Sequence, residues 1–240
     1  MKKILITGGA SGLGRAITER LLQNNEFEVY FTYNKSIETA KEIETRFNNA
    51  NSIKVDFENN DEVSFFLEKM NEINPDILIN NALTGYNKKH FHKIDDSDFV
   101  TSFISNLLPV LKITQKFINI RRKCKSGKII NILTSYLINK PPIGLSEYVA
   151  NKAYLLSMSK SWAVENAGFN ITSNSISPSF METNLTSDTD ERILESLINQ
   201  NPNKTLLKTD EVASVIEFII NATNQINGHN FVINAGNDLI

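Results

Sequence analysis

Short, nearly unbroken apolar runs alternate along this chain with longer stretches in which apolar residues recur every three to four positions. The runs "KILIT" (3–7), "EVYFTY" (28–33), "SIKVDF" (52–57), "DILINN" (76–81), "KIINILT" (128–134), "NITSNSIS" (170–177) and "NFVIN" (230–234) read as strands. The stretches 13–24, 36–48, 61–73, 97–121, 147–166, 187–199 and 209–221 read as helices. Runs such as "ILIT", "ILIN" and "IINI" lack the polar alternation of a half-exposed strand, as expected where both faces of a parallel sheet are covered. The alternation predicts an α/β fold, with a doubly wound, predominantly parallel seven-stranded sheet and helices on both faces. No repeat or linker interrupts it, so residues 1–240 read as a single domain. The longest irregular segments, 82–96, 135–146 and 178–190, each follow a strand. They therefore gather at the carboxyl edge of the sheet, where ligands bind in this architecture.

Composition narrows the function classes. The chain has 240 residues, enough to bury a core without metal or disulfide staples. A net charge of −2, with both signs interspersed, lacks the electrostatic footprint of a nucleic-acid binder. Its one cysteine, Cys124, excludes an internal disulfide and a cysteine-based zinc site and fits a reducing compartment. His90, His92 and His229 show no metal-ligand spacing, and no metal is expected. The start, "MKKILITGGASG", has too short an apolar run for a signal peptide. No apolar run approaches the ~20 residues of a membrane span. The expectation is a soluble, cytoplasmic protein with neither nucleic-acid nor membrane partners.

The first strand runs directly into glycines and then a helix: "ILITGGASGLGRAITERLL". Gly8 permits a tight turn, Gly12 lets the backbone approach a pyrophosphate, and Gly14 lets the helix pack closely on the sheet. With Ser11 and Leu13 they complete a turn whose helix N-terminus offers unpaired N–H groups to phosphates, a Rossmann-type dinucleotide site. An NAD site usually adds an acidic residue at the end of the second strand. Here Thr32, Tyr33, Asn34, Lys35 and Ser36 supply no carboxylate. The missing negative charge and nearby Lys35 would tolerate a 2′-phosphate, so NADP(H) is preferred over NAD(H), with Tyr33 among the cofactor contacts. Lys35 also reads as a solvated lysine at a helix start. Asp56, after the third strand, either meets the adenine ring or caps the following turn.

Two tyrosine–lysine pairs share an i, i+4 spacing: Tyr148 and Lys152 in "SEYVANKAY", and Tyr136 and Lys140 in "YLINKPP". Pro141 and Pro142 disfavour a helix after the second pair. The first lies in a stretch that begins at Ser146, a plausible N-cap, and closes at Gly168, so both side chains share one helical face.

Gly-x-x-x-Gly-x-Gly at 8–14, "NNA" at 80–82, Asn106 in "SNL", "IINILTS" at 129–135, Tyr-x-x-x-Lys at 148–152, "SISPSFMET" at 175–183 and "GHNFVINAG" at 228–236 fall in one order. In that order they resemble the classical short-chain dehydrogenase/reductase family, over nearly the whole chain. The resemblance implies a catalytic set of Asn106, Ser135, Tyr148 and Lys152. Ser135 lies thirteen residues before Tyr148; its neighbour Thr134 fits the strand length slightly better, and Ser135 is favoured. Tyr148 would exchange a proton with the substrate oxygen, its phenol (pKa near 10) made more acidic by Lys152 and the oxidised nicotinamide. Lys152 would also hold the nicotinamide ribose, Ser135 would donate to the developing alkoxide, and Asn106 would support a proton-relay water. Asn80, Ala82, Pro178, Met181 and Thr183 join the cofactor contacts, with Leu185, Ile193 and Leu197 as lid residues. Three departures stand out: Leu83 and Ser179 replace family glycines, and the last strand closes with "NAG".

The implied activity is hydride transfer between NAD(P)(H) and a carbonyl or secondary alcohol, most like the 3-oxoacyl-carrier-protein reductases. The basic run "RRKCK" (121–125) offers either a docking patch for an acidic carrier protein or helix-dipole compensation. Alternatives are a reductase of a sugar or other polar metabolite, using "TGYNKKHFHK" (84–93), and a non-catalytic dinucleotide-binding sensor or scaffold. The substrate is then a small carbonyl or alcohol, free or carrier-bound. The resemblance also implies a homodimer or homotetramer built through 97–121, 147–166 and the last strand.

Overall fold

Seven strands, β1 (Lys2–Ile6), β2 (Phe27–Tyr33), β3 (Ala50–Lys54), β4 (Ile77–Asn80), β5 (Gly127–Ile132), β6 (Ile171–Pro178) and β7 (Asn230–Ile233), form one sheet in the order β3-β2-β1-β4-β5-β6-β7. The structure is a computed structural model that describes residues 1–138, 140–183, 186 and 189–238. Every strand pairing is parallel, so the sheet is wholly rather than predominantly so. The chain winds outward from β1 to β3, then returns to place β4 on the other side of β1. The carboxyl ends of β1 and β4 therefore flank the crevice where such sheets bind ligands.

The unbroken apolar strands are shared between two cores, because successive side chains point to opposite faces. Ile4, Ile6, Val29, Phe31 and Ile79 pack beneath α1 (Gly12–Leu22), α2 (Ile37–Arg46) and α8 (Thr209–Asn221). Leu5, Leu78 and Ile129 pack beneath α3 (Asn60–Ile73), α5 (Leu108–Cys124) and α6 (Ser146–Asn166).

Several boundaries differ from the sequence pattern, among them β3, which spans Ala50–Lys54 where 52–57 is expected. The stretch 97–121 is not one helix: α4 (Asp96–Ser102) widens into a π turn over Phe103–Leu107 before α5 begins. Pro109, in the first turn of α5, has no N–H for the Ser105 carbonyl four residues back, and the lost bond accommodates the wider turn. The fifth strand ends at Ile132, two residues early. The helix placed at 187–199 is α7 (Glu191–Gln200), capped by Asp190, whose Oδ1 accepts from the Arg192 N–H at 2.8 Å. Residues 187 and 188 and the proposed lid residue Leu185 lie outside the described residues. Among the described residues, no helix is long and apolar enough to cross a membrane.

Candidate active site

The glycine turn is held from both sides. Gly8 and Gly12 have φ of +68° and +49°, conformations that glycine adopts without steric cost. Gly14 meets a different constraint: a Cβ there would stand 2.0 Å from the Gly8 carbonyl oxygen and 2.6 Å from Asn81 Nδ2. From β2, Thr32 accepts the Gly8 N–H on Oγ1 at 2.9 Å and the Gly9 N–H on its carbonyl at 2.8 Å. From the β4 side, Asn81 Nδ2 donates to the Thr7 and Gly8 carbonyls, while Thr7 Oγ1 accepts from the Asn81 and Ala82 N–H groups at 3.0 Å. Ser11 occupies the N-cap of α1 without a side-chain cap, and no acid sits in the first turn. The first N–H groups and the positive end of the helix dipole thus remain available to an anion. Leu13 is buried below, and Thr183 overhangs, its Cβ 3.4 Å from where a Gly12 Cβ would be. Met181 packs beside it on the core edge, and Pro178 closes β6. This cradle fits a dinucleotide pyrophosphate.

At the rim, Tyr33 is half-buried against the core and Lys35 is exposed, with no carboxylate between Thr32 and Ser36. Asp56 caps its own turn, accepting the Glu58 N–H on Oδ1 at 3.0 Å. Of the two uses the sequence left open for Asp56, the cap is present.

Helix α6 brings Tyr148 and Lys152 together, the ammonium 5.8 Å from the phenol ring centroid. Lys152 Nζ donates to the Ile132 carbonyl at 2.8 Å, and burial lowers its pKa to about 8. Burial likewise pushes the Tyr148 phenol up to about 12. Hydrogen bonding from Thr134 opposes this, and neighbouring Tyr86 and Tyr136 add to it. Desolvation therefore outweighs the Thr134 hydrogen bond at this phenol. The hydroxyl that lowers the phenol's pKa is that of Thr134, the neighbour of Ser135 that fits the strand length. Because β5 ends at Ile132, Thr134 is still extended (φ −156°, ψ 145°), whereas Ser135 begins a 3-10 turn over Ser135–Leu137. Tyr136 sits in that turn, its own pKa raised by burial.

Asn106 is placed by the π turn, but its amide is engaged with the loop after β4. Oδ1 accepts from the Thr84 N–H and hydroxyl, both at 3.0 Å, and Nδ2 donates to the Gly85 carbonyl at 3.1 Å. Asn80 points its amide inward, Nδ2 donating to Thr114 Oγ1 and Asn131 Oδ1 at 2.9 and 2.8 Å. A buried polar row continues from Asn131 through Ser159 to Ser173 and Ser175, tying α6 to β5 and β6. The row fixes α6 against the sheet. Its sequence signal was a set of polar residues in otherwise apolar elements. A small solvent-open cavity adjoins this ground, walled by Asn80, Tyr86, Asn106, Asn151 and Lys152. Tyr86, within the 84–93 segment offered for substrate contacts but not singled out there, lies against Tyr148 with ring centroids 4.9 Å apart. Among the described residues, no group of three His, Cys, Asp or Glu side chains is arranged to hold a metal.

A phosphate-binding glycine turn beside a buried Tyr–Lys pair, at the switch point of a parallel sheet, defines a dinucleotide-dependent oxidoreductase. The model of the short chain dehydrogenase family matches residues 2–193, and the chain belongs to that family. It is an NAD(P)-dependent oxidoreductase acting on CH–OH groups. It is 31% identical to the 3-oxoacyl-acyl-carrier-protein reductase FabG of Thermotoga maritima, over 91% of this chain and 89% of that one. It is 30% identical to nodulation protein G of Rhizobium sp. (strain N33), over 98% and 96% of the two chains. Among solved structures, a short chain dehydrogenase from Burkholderia cenocepacia in complex with NADP superposes with a TM-score of 0.85. That match covers 98% of this chain and 97% of the other at 24% identity, a likeness of fold.

Proposed function

We propose that the chain is an NADP(H)-preferring carbonyl reductase, in which Tyr148 is the general acid, Thr134 the second donor to the substrate oxygen and Lys152 the cation behind the phenol. The observation that carries this is the Tyr148–Lys152–Thr134 cluster beside the Gly8–Gly14 turn. The bound nicotinamide supplies hydride and, once oxidised, a positive charge. Tyr148, protonated at neutral pH because burial raises its pKa to about 12, releases its proton to the carbonyl oxygen as hydride reaches the carbonyl carbon. Thr134 donates to the same oxygen as charge develops there. Lys152 then faces the resulting phenolate and favours it electrostatically. Gly8, Gly12 and Gly14 with the N-terminus of α1 hold the pyrophosphate, and Lys35 meets a 2′-phosphate that the carboxylate-free rim does not repel.

The relatives at about 30% identity place 3-oxoacyl thioesters among the carbonyl compounds to be tried as substrates. The carrier-docking reading of 121–125 gains little within one chain. Arg121 is buried and paired with Asp76 at 3.0 Å. Arg122 stacks on Phe169 at 4.5 Å and donates to Asn166 Oδ1 at 2.8 Å. The run also precedes β5, at the sheet edge opposite Tyr148. Phe99, Val100, Phe103, Ile104 and Tyr154 leave an exposed apolar face on α4, the π turn and α6, which supports assembly as a homodimer or homotetramer.

The test is loss of NADPH absorbance with a panel of ketones, 3-oxoacyl thioesters and sugar ketones. Turnover that Tyr148→Phe abolishes supports the reading. NADPH binding without turnover on any member replaces it with a sensor or scaffold.

A further inference from the structure

The loop after β4 is pinned at both ends. At its root the Asn106 amide grips Thr84 and Gly85 through three hydrogen bonds of 3.0–3.1 Å. Farther along, Lys89 Nζ pairs with Asp98 at 2.7 Å, and the Lys89 N–H donates to the Gly144 carbonyl at 3.1 Å. Within the first anchor Gly85 has φ +142°, a conformation strained for other residues, and it turns the chain immediately before Tyr86. The result is that the Tyr86 ring lies on the catalytic phenol at 4.9 Å, tilted by 42°, and forms part of the cavity wall.

Resting on the carbonyl-reductase reading, we propose that Tyr86 is a specificity-determining residue that selects carbonyl substrates bearing a flat sp2 substituent, aryl ketones and enones, and that Asn106 is the positioning residue holding it there. A carbonyl within hydrogen-bond reach of Tyr148 brings one of its substituents alongside the Tyr86 ring. A planar group stacks offset on that ring. A branched sp3 group at the same place meets the ring edge and must displace a strap fixed at two points. Both ends of the Asn106 amide are engaged by the strap, and this is the contact the π turn supplies.

The experiment compares kcat/KM for acetophenone and for 3,3-dimethyl-2-butanone with NADPH. The variants are Tyr86→Phe, Tyr86→Ala, Asn106→Ala and the milder Thr84→Val, which removes only the hydroxyl donor to Asn106. The wild type favours the aryl ketone, and Tyr86→Phe keeps that ratio within about twofold because the ring remains. Tyr86→Ala lowers the ratio about tenfold, the span of a lost ring contact. Asn106→Ala and Thr84→Val shift it in the same direction, and combining Asn106→Ala with Tyr86→Ala adds nothing further. An unchanged ratio in Tyr86→Ala overturns the inference, as does an Asn106→Ala enzyme that slows both ketones alike. A wild type that reduces other carbonyls but neither of these also overturns the inference alone. A wild type that reduces no carbonyl overturns the reading beneath it as well.

Discussion

The Lys152 ammonium donates to the Ile132 carbonyl at 2.8 Å from a position where burial holds its pKa at about 8. The unfolded chain keeps this proton up to its ordinary value of 10.5. Between pH 8 and 10 the unfolded state therefore binds more protons, and stability rises with pH across that window. Above pH 10 Tyr148 acts in the opposite sense: its phenol ionises first in the unfolded chain, so stability then falls. Lys152→Met should abolish the rise between pH 8 and 10. It should also raise the melting temperature at pH 7 by about 3 °C, as a desolvated cation worth about 1 kcal/mol is removed from a chain of this size. Thermal unfolding from pH 6 to 11 checks both. The same pKa predicts that kcat/KM for ketone reduction is level to about pH 7 and declines above pH 8 as the ammonium is lost. A decline that persists unchanged in a variant lacking Lys152 assigns it elsewhere.

The Thr134 hydroxyl lowers the pKa of the Tyr148 phenol, and the proposed second donor is Thr134 with Ser135 as its rival. Removing one donor from a developing oxyanion costs on the order of a hundredfold in kcat. Thr134→Val, which keeps the shape and deletes the hydroxyl, should show that loss with little change in KM for NADPH. Thr134→Ser should recover most of the rate, and Ser135→Ala should remain within about threefold of wild type. The reverse ranking in steady-state kinetics returns the role to Ser135.

The ambiguity between these neighbours shows what the sequence encodes. The alternation of short runs with helical stretches places all seven strands, because a sheet covered on both faces leaves runs such as Leu78–Ile79 and Ile129–Ile130 apolar without interruption. The glycine turn is legible because Gly14 satisfies a local steric demand. The identity of the hydroxyl at Tyr148 depends on where β5 stops pairing with β6, and periodicity does not resolve a boundary to one residue. The duty of Asn106 is less legible still: its partners lie 21 and 22 positions away, and its approach depends on a π turn. Tyr86 is singled out within 84–93 only by that contact.

Cofactor preference should depend on charge at the end of β2. Lys35 is exposed there with no neighbouring carboxylate between Thr32 and Ser36. Lys35→Glu should raise KM for NADPH about tenfold, the scale of reversing one exposed charge against a phosphate. KM for NADH should change little. The effect should shrink in high salt, because exposed charges are screened. Titration of both cofactors at low and high ionic strength decides it. An equal loss for NADH and NADPH marks a damaged turn rather than a 2′-phosphate contact.

Gly14 and Gly168 predict opposite costs for the same substitution. A methyl at Gly14 would overlap the Gly8 carbonyl oxygen at 2.0 Å and crowd Asn81 Nδ2 at 2.6 Å. Both belong to the network that ties β1, β4 and the glycine turn together, so relief requires moving the turn itself. Gly14→Ala should destabilise the chain by about 3 kcal/mol, lowering the melting temperature by roughly 6–12 °C for a chain of this size. It should also weaken NADPH binding, since the displaced backbone is the phosphate cradle. Gly168, just past α6, has nothing within 4 Å of where a methyl would stand, and no left-handed φ. Gly168→Ala should stay within about 0.5 kcal/mol of wild type. Scanning calorimetry of the two variants, with and without NADPH, measures the contrast. A Gly14→Ala chain that melts and binds like Gly168→Ala would show that the turn can shift without cost.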